Sequence, residues 1–229
     1  MWADLLFILG AYLLGSVPHL RFLARLKHIE PGGDYHQDLW HRAGKLYGVL
    51  GVSGEFAKGI LAILAGRGLG FSPLTLGIAG VAAVCGQMWP VFSRFDGEKG
   101  NSIGVAVMFT LTPIAGLFAI IPVIIALLFR TLPRVLTKNK SAEKKPIVGG
   151  PYSRSLPLGM AACFLLLPFI AWWLGEPPEI AWSYAALFLF IMVRRLTAGL
   201  STDLKTGENA GGIIIKRLLY DRATARWRK

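Results

Sequence analysis

The stretch SIGVAVMFTLTPIAGLFAIIPVIIALLF, residues 102–129, decides the architecture of this chain. Read without a break, it is one long helix tilted across a bilayer. Read with a break at Thr112-Pro113, it is two helices folded back on each other. Proline lacks a backbone donor and drives the preceding residue out of helical geometry. The two readings put everything downstream on opposite sides of a membrane.

Charge decides between them. Further apolar segments occupy residues 2–18, 46–66, 69–92, 156–174 and 180–193. With the N-terminus outside and a turn at Pro113, the stretches 19–45, 93–101, 130–155 and 194–229 all lie inside. They hold 5, 2, 7 and 9 Lys+Arg, which is 23 of the 25 in the chain. The two others are Lys58, inside an apolar segment, and Arg67, on the outside. A single helix over 102–129 would expose the seven basic residues of 130–155 outside. Lys/Arg bias toward the cytoplasm is the main determinant of membrane topology. The sequence therefore predicts an all-α, polytopic integral membrane protein with seven transmembrane helices, six if the fourth does not cross, N-out and C-in. That fourth segment has about 11 residues against the roughly 20 that span a bilayer, so it is tilted or partly re-entrant. Residues 1–193 are expected to form the membrane domain and 194–229 a basic cytoplasmic tail.

Composition agrees. The 229 residues are 54% hydrophobic and only 17% charged, too few charges to cover a soluble surface. The net charge of +12 would suggest nucleic acid in a soluble protein. Here the basic residues sit between apolar runs and face anionic headgroups instead, so membrane lipids are the expected partners and nucleic acid is not. Cys85 and Cys163 lie within apolar segments, and neither disulfide nor metal site is expected. The N-terminal run lacks a small-residue cleavage site and reads as a retained helix. These features place the chain in a bacterial inner membrane as a multi-pass protein.

Several clusters could carry chemistry. Phe95-Asp96-Gly97-Glu98-Lys99-Gly100-Asn101-Ser102 lies at a predicted helix start. Backbone N–H groups at Gly97 and Gly100, the helix N-terminus and Lys99 together suit a phosphate; a tight turn with a snorkelling lysine is the plainer alternative. Glu55 and Lys58 stand at i, i+3 within a span, on one helix face. Ionisable groups in a membrane pair or face a polar cavity, and this pair suits either a structural or a functional role. In the first loop, His36 and Asp38, with His41, could supply a general base or metal ligands, or be incidental loop residues. Ser155 opens the sixth segment, placed to cap the helix or hold an anion. The tail run Ile213–Ile215 and Leu218–Tyr220, with Lys216 and Arg217, suggests a basic amphipathic helix at the membrane surface.

The pattern resembles the bacterial acyl-phosphate:glycerol-3-phosphate acyltransferases, the PlsY family, most strongly over residues 8–105. Gly15-Ser16-Val17-Pro18 is similar to that family's Gly-Ser-Ile-Pro. Glu55-Phe56-Ala57-Lys58-Gly59 is similar to its Asp-x-x-Lys-Gly. Gly86-Gln87-Met88-Trp89-Pro90-Val91-Phe92 is similar to its Gly-His-x-x-Pro-Val-Phe, and Phe95 to Gly100 to its Phe-x-Gly-Gly-Lys-Gly. Tyr152 to Leu156 and Ile215 to Leu219 resemble later motifs. The departures are specific. The family's Ser-Gly-Asn loop is absent from residues 32–39. Gln87 stands for a histidine and Glu98 for a glycine. Arg194-Arg195-Leu196-Thr197-Ala198 stands for Arg-His-x-x-Asn.

The resemblance implies acyl transfer from acyl phosphate to glycerol 3-phosphate, giving lysophosphatidic acid and phosphate, without a cofactor. It implies a site at the cytoplasmic face where Lys99, Gly97 and Gly100 hold phosphate. Ser155 and Arg42 would add donors, and Ser16 would line the pocket. His36 or Asp38 is the weak candidate for a base. The competing readings are a non-catalytic or repurposed relative that binds an acidic lipid or phosphate ligand, and an acyltransferase with another acceptor.

Overall fold

The computed structural model describes residues 1–29, 35–137, 154–205 and 209–221. The Tyr152-Ser153 part of one resemblance, most of the basic stretch 130–155 and the tail arginines Arg222, Arg226 and Arg228 lie outside the described residues.

Helices make up the fold, with no strand among the described residues. In order they are α1 Trp2–Ser16, α2 His19–Leu26, α3 Tyr35–Asp38, α4 Lys45–Gly68, α5 Pro73–Met88 and α6 Asn101–Leu111. There follow α7 Pro113–Ala119, α8 Ile121–Thr137, α9 Ser155–Trp173, α10 Pro178–Thr197, α11 Leu200–Leu204 and α12 Ala210–Tyr220. Six units are long and apolar enough to cross a membrane: Trp2–Leu26, Lys45–Gly68, Pro73–Ser93, Pro113–Leu136, Ser155–Trp173 and Pro178–Thr197. The protein is a multi-pass helical membrane protein. The seventh apolar helix, α6, has 11 residues. At 1.5 Å per residue it covers about 16 Å, roughly half of a hydrocarbon core of about 30 Å.

The stretch 102–129 does break where the proline falls. Thr112 leaves helical geometry with φ −139° and ψ 82°, and Pro113 starts the next helix at its first position, where its missing N–H costs nothing. Gly116 then lies against Met108 and Phe109, so the chain has turned back on itself. Further along, Phe118 meets the Trp173 ring edge-on at 6.4 Å, while Ser155 Oγ donates to the Ala126 carbonyl at 3.0 Å. The α7–α8 segment therefore runs antiparallel to α9.

The shortness of α6 is compensated at its C-terminus. Arg67, in the last turn of α4, donates to the Leu111 carbonyl at 2.7 Å, and the buried Thr112 and Tyr184 hydroxyls are 2.6 Å apart. Terminal carbonyls of a helix lack partners in the helix itself, and in lipid surroundings protein groups must satisfy them. This end also holds Asp4, which accepts from Thr75 Oγ1 at 2.8 Å. Ser72 caps α5 there, accepting from Thr75 N at 3.3 Å.

Small residues bring the helices together, and large apolar ones face outward. Ala79, Ala83, Ala115, Ala119 and Ala171 are fully buried, whereas Leu6, Trp172 and Trp173 are exposed. That is the pattern of membrane bundles, where close packing rather than water exclusion drives association. The α1–α5 crossing is tightest. A Cβ on Gly15 would fall 2.0 Å from the Ala83 carbonyl oxygen, and one on Gly86 2.2 Å from that of Tyr12.

One expectation needs refinement. Residues 19–45 are not an extended polar loop but contain α2, α3 and a π-helical turn, Leu39–Ala43. Leu20 and Ala24, four apart on one face of α2, are buried with Leu39 in a small second core. The tail does contain a helix, α12, where an amphipathic helix at the membrane surface is expected. It packs on α9 and α10, burying Ile213 and Arg217, with Arg217 Nε donating to the Leu196 carbonyl at 3.1 Å.

Candidate anion site at one end of the bundle

At the end of the bundle opposite Thr112, the ends of α1, α5 and α10 surround a cavity of about 440 Å³, lined also by α4 and by the loop before α6. Its construction begins with Pro18, which forces Val17 into an extended conformation (ψ 119°) and ends α1. The carbonyls thus freed point at α4. Lys58 Nζ donates to the Val17 carbonyl at 2.6 Å, to that of Gly15 at 3.4 Å and to Glu55 Oε1 at 3.1 Å. Cations favour helix C-termini, so this intramembrane lysine caps α1. Ser16 lines the cavity too, and its hydroxyl donates back to the Tyr12 carbonyl at 2.9 Å.

The second wall is the loop 89–100. Two non-glycine residues, Arg94 and Phe95, adopt left-handed φ of 53° and 60°. Such backbone persists where surrounding contacts over-determine it. Here they are numerous. Glu98 N donates to the Gln87 carbonyl at 3.0 Å and Phe95 N to that of Pro90 at 3.0 Å. A Cβ on Gly97 would lie 2.1 Å from the Gln87 carbonyl oxygen, so only glycine fits there. Two arginines then bind the outward carbonyls. Arg21 donates to that of Asp96. Arg194 donates to those of Gly97 and Glu98, and its Nη2 lies 3.2 Å from Asp96 Oδ1. A planar guanidinium can span several acceptors at once, which a lysine cannot.

Gln87, in place of a histidine, has a visible structural role: its Oε1 accepts from Ile103 N at 3.4 Å, in the first turn of α6. Gly100, at φ +80°, precedes α6 and packs against Val84 and Met88. Lys99, just before it, lines the cavity and is ion-paired with Asp221, the residue that ends α12.

Of the residues singled out in the sequence, Ser16, Glu55, Lys58, Gly97 and Lys99 come together around this cavity. Gly100 shapes the loop without lining it. Ser155 is in the first turn of α9 and ties that helix to α8 rather than acting as its cap residue. Arg42 lies 3.8 Å from Asp38 on the π-helical turn, and Arg42, Asp38 and His36 are not among the lining residues. From their neighbourhood it is Tyr35 that reaches the cavity, with Arg21 over its ring.

Sequence reasoning missed Arg21 and His19, because it read residue 19 as the start of a loop. The Leu20–Ala24 spacing was the available signal. Arg194, Arg195 and Ala198 were marked only as departures. Ala198 lines the cavity, so a donor that the resemblance leads one to expect is absent from its wall. Arg195 is buried and donates to the Pro157 and Leu218 carbonyls at 3.1 and 3.3 Å, bracing α10 against α9 and α12.

Lining the cavity, Arg21, Lys58, Lys99 and Arg194 face Glu55, Asp96 and Glu98. Lys58 and Glu55 neutralise each other, and Arg194 answers Asp96. The fold and this site define a class: a helical membrane protein with a basic, glycine-shaped cavity at one end of its bundle. A protein-family model described as Glycerol-3-phosphate acyltransferase matches residues 5–198, and the chain belongs to that family. The glycerol-3-phosphate acyltransferase of Trichlorobacter lovleyi is 35% identical over 125 residues, 52% of this chain and 64% of the relative. That of Rubrobacter xylanophilus is 34% identical over 119 residues, 50% of this chain and 60% of the relative. Glycerol-3-phosphate acyltransferase 4 of Dehalococcoides mccartyi is 26% identical over 226 residues, 95% of this chain and 88% of the relative. The matches to the first two thus span less than two thirds of those proteins. Crystal structures of PlsY, an integral membrane glycerol 3-phosphate acyltransferase, in its lysophosphatidic acid and glycerol 3-phosphate forms share the fold. Both have a TM-score of 0.67, at 24% and 23% identity, covering 90% of this chain and 94% of PlsY.

Proposed function

We propose that this protein is a membrane acyltransferase of phospholipid biosynthesis. It moves an acyl chain from acyl phosphate to glycerol 3-phosphate and releases lysophosphatidic acid and phosphate. The observation that carries this reading is the convergence of Ser16 from α1, Lys58 from α4, and Gly97 and Lys99 from the loop before α6 on one cavity with Arg21 and Arg194. A volume of about 440 Å³ falls in the range of small-ligand pockets and suits polar headgroups. The acyl chain would stay among the apolar helix surfaces outside.

Lys99 and the Gly97 turn would hold phosphate, with Arg21 adding charge. Ser16, and Arg42, Gly100 and Ser155 from farther away, would shape or support that seat. Acyl phosphate is already activated, so holding the hydroxyl near the acyl carbon and stabilising developing negative charge supply much of the rate. The distribution of Lys and Arg supports a cytoplasmic active face, N-out and C-in, in a bacterial inner membrane.

The test is direct. Purified protein in lipid, given acyl phosphate and glycerol 3-phosphate, should release lysophosphatidate and inorganic phosphate in equal amounts. Absence of product with any acceptor, alongside tight phospholipid binding, would replace this reading with that of a binding protein.

A further inference from the structure

Arg195 is 1% exposed, and one end of its guanidinium is engaged. Nη1 donates to the Pro157 carbonyl at 3.1 Å and to the Leu218 carbonyl at 3.3 Å. The other edge is open: Nε and Nη2 are both buried and have no hydrogen-bond partner among the described residues. An arginine does not shed its charge, and a buried charge without an answer is costly. Nε and Nη2 together form the fork that takes a carboxylate or phosphate through two parallel bonds. The open fork therefore calls for an anion.

Arg195 is not among the residues that line the cavity, so that anion has to be one already beside it. The carboxylate beside it is Asp221. Leu218, whose carbonyl Arg195 holds, lies in the last turn of α12, and Asp221 ends that helix three residues on, roughly one turn of about 5 Å away. Asp221 acts electrostatically on the Arg195 guanidinium while its Oδ2 pairs with Lys99. Its side chain is 6% exposed, so leaving Lys99 without a second cation to meet would strand a buried charge. Nearby, Asp203 already answers Arg217 and Asp96 answers Arg194. Lys99 and Arg195 are left to share Asp221.

We propose that Asp221 is a movable counterion: when a phosphate group takes Lys99, the Asp221 carboxylate turns to the open fork of Arg195. The inference rests on the reading of Lys99 as a phosphate ligand. Rotation about the Asp221 Cα–Cβ bond between staggered wells carries the carboxylate from one cation to the other. In the empty site one anion serves two cations; with phosphate bound, each cation has its own. Arg195 is a positioning residue. It touches no substrate and acts on binding by receiving Asp221, which frees Lys99.

The experiment is a double-mutant cycle on the full chain in lipid, with glycerol 3-phosphate binding measured by calorimetry for wild type, Arg195→Lys, Asp221→Asn and the double variant. Lysine keeps the charge and a donor for the Pro157 and Leu218 carbonyls but has no fork. Arg195→Lys should raise Kd about tenfold in the wild-type background and change it by less than about twofold beside Asp221→Asn, a coupling in the range of residues in contact. An equal rise in both backgrounds would overturn the proposal, since Arg195 would then act on the ligand directly or as a brace. No rise in either background would overturn it too. If Arg195→Lys does not fold, nuclear magnetic resonance of protein isotope-labelled at arginine Nε keeps Arg195 in place. Its Nε–H signal should shift when glycerol 3-phosphate is added to wild type and stay unmoved in Asp221→Asn; the same shift in both would overturn the proposal. Lys99→Ala binding glycerol 3-phosphate as tightly as wild type would instead remove the reading of Lys99 as the phosphate ligand.

Discussion

Lys99 and Asp221 form an ion pair that joins the loop leading into α6 to the C-terminus of α12. The lysine best placed to hold a phosphate is thereby held by a carboxylate from the tail. Phosphate and Asp221 should compete for it. Asp221 sits at a left-handed φ of 64°, which asparagine also tolerates. Asp221→Asn should therefore leave the fold intact and lower the KM for glycerol 3-phosphate by about threefold to tenfold, the equivalent of about 1 kcal/mol. Lys99→Ala should cut kcat/KM by about 100-fold or more, and adding Asp221→Asn should not restore it. Initial-rate kinetics of the three variants check both points; an unchanged KM in Asp221→Asn would show that there is no competition.

Arg194 reaches the Gly97 and Glu98 carbonyls and Asp96 Oδ1 together. Lysine retains the charge but not the fork. Arg194→Lys should reduce kcat/KM by about 10- to 100-fold, with little change in melting temperature, because Asp96 is 84% exposed and adds little stability. A large fall in melting temperature would mean instead that Arg194 mainly holds the bundle together.

Gly15→Ala probes the α1–α5 crossing. A methyl group 2.0 Å from the Ala83 carbonyl oxygen forces the helices apart, at a cost of about 1–3 kcal/mol. Thermal unfolding in detergent should show the loss. Activity should fall with it, since Ser16 and the Lys58 contacts to Gly15 and Val17 move along with α1. An unchanged melting temperature would show that the two helices can slide.

Topology can be tested with single cysteines at exposed positions at the two ends. Glu179, at the start of α10, lies at the Thr112 end, and Ser201, in α11, at the cavity end. In whole cells, an impermeant thiol reagent should label Glu179→Cys and leave Ser201→Cys unlabelled until the membrane is opened. The opposite pattern would reverse the proposed orientation.

Much of the fold was legible because membrane architecture is written in local patterns. A helix must satisfy its own backbone in lipid, so apolar runs read directly as helices, and Pro113 marks the reversal in residues 102–129. Lys and Arg placement then favoured the hairpin that the contacts of Gly116, Phe118 and Ser155 reveal. What stayed hidden was short and amphipathic: α2 buries little besides Leu20 and Ala24, a signal too small to stand out in a polar stretch.

The site divides along the same line. Sequence alone singled out Glu55, Lys58, Gly97 and Lys99 as candidates, because glycines and charges next to or within apolar runs are unusual enough to be noticed one segment at a time, and the resemblance added Ser16. Only the tertiary structure decided their partners. His19 lies against Gly51, Arg194 grips the loop at residues 96–98, and Asp221 answers Lys99. It also left His36, Asp38 and Arg42 off the cavity wall. The physical reason is that these pairings join residues far apart along the chain, and no periodicity encodes them. They exist because close packing of glycine and alanine faces brings the helix ends together, and buried charges must then be answered by whatever that packing places within reach.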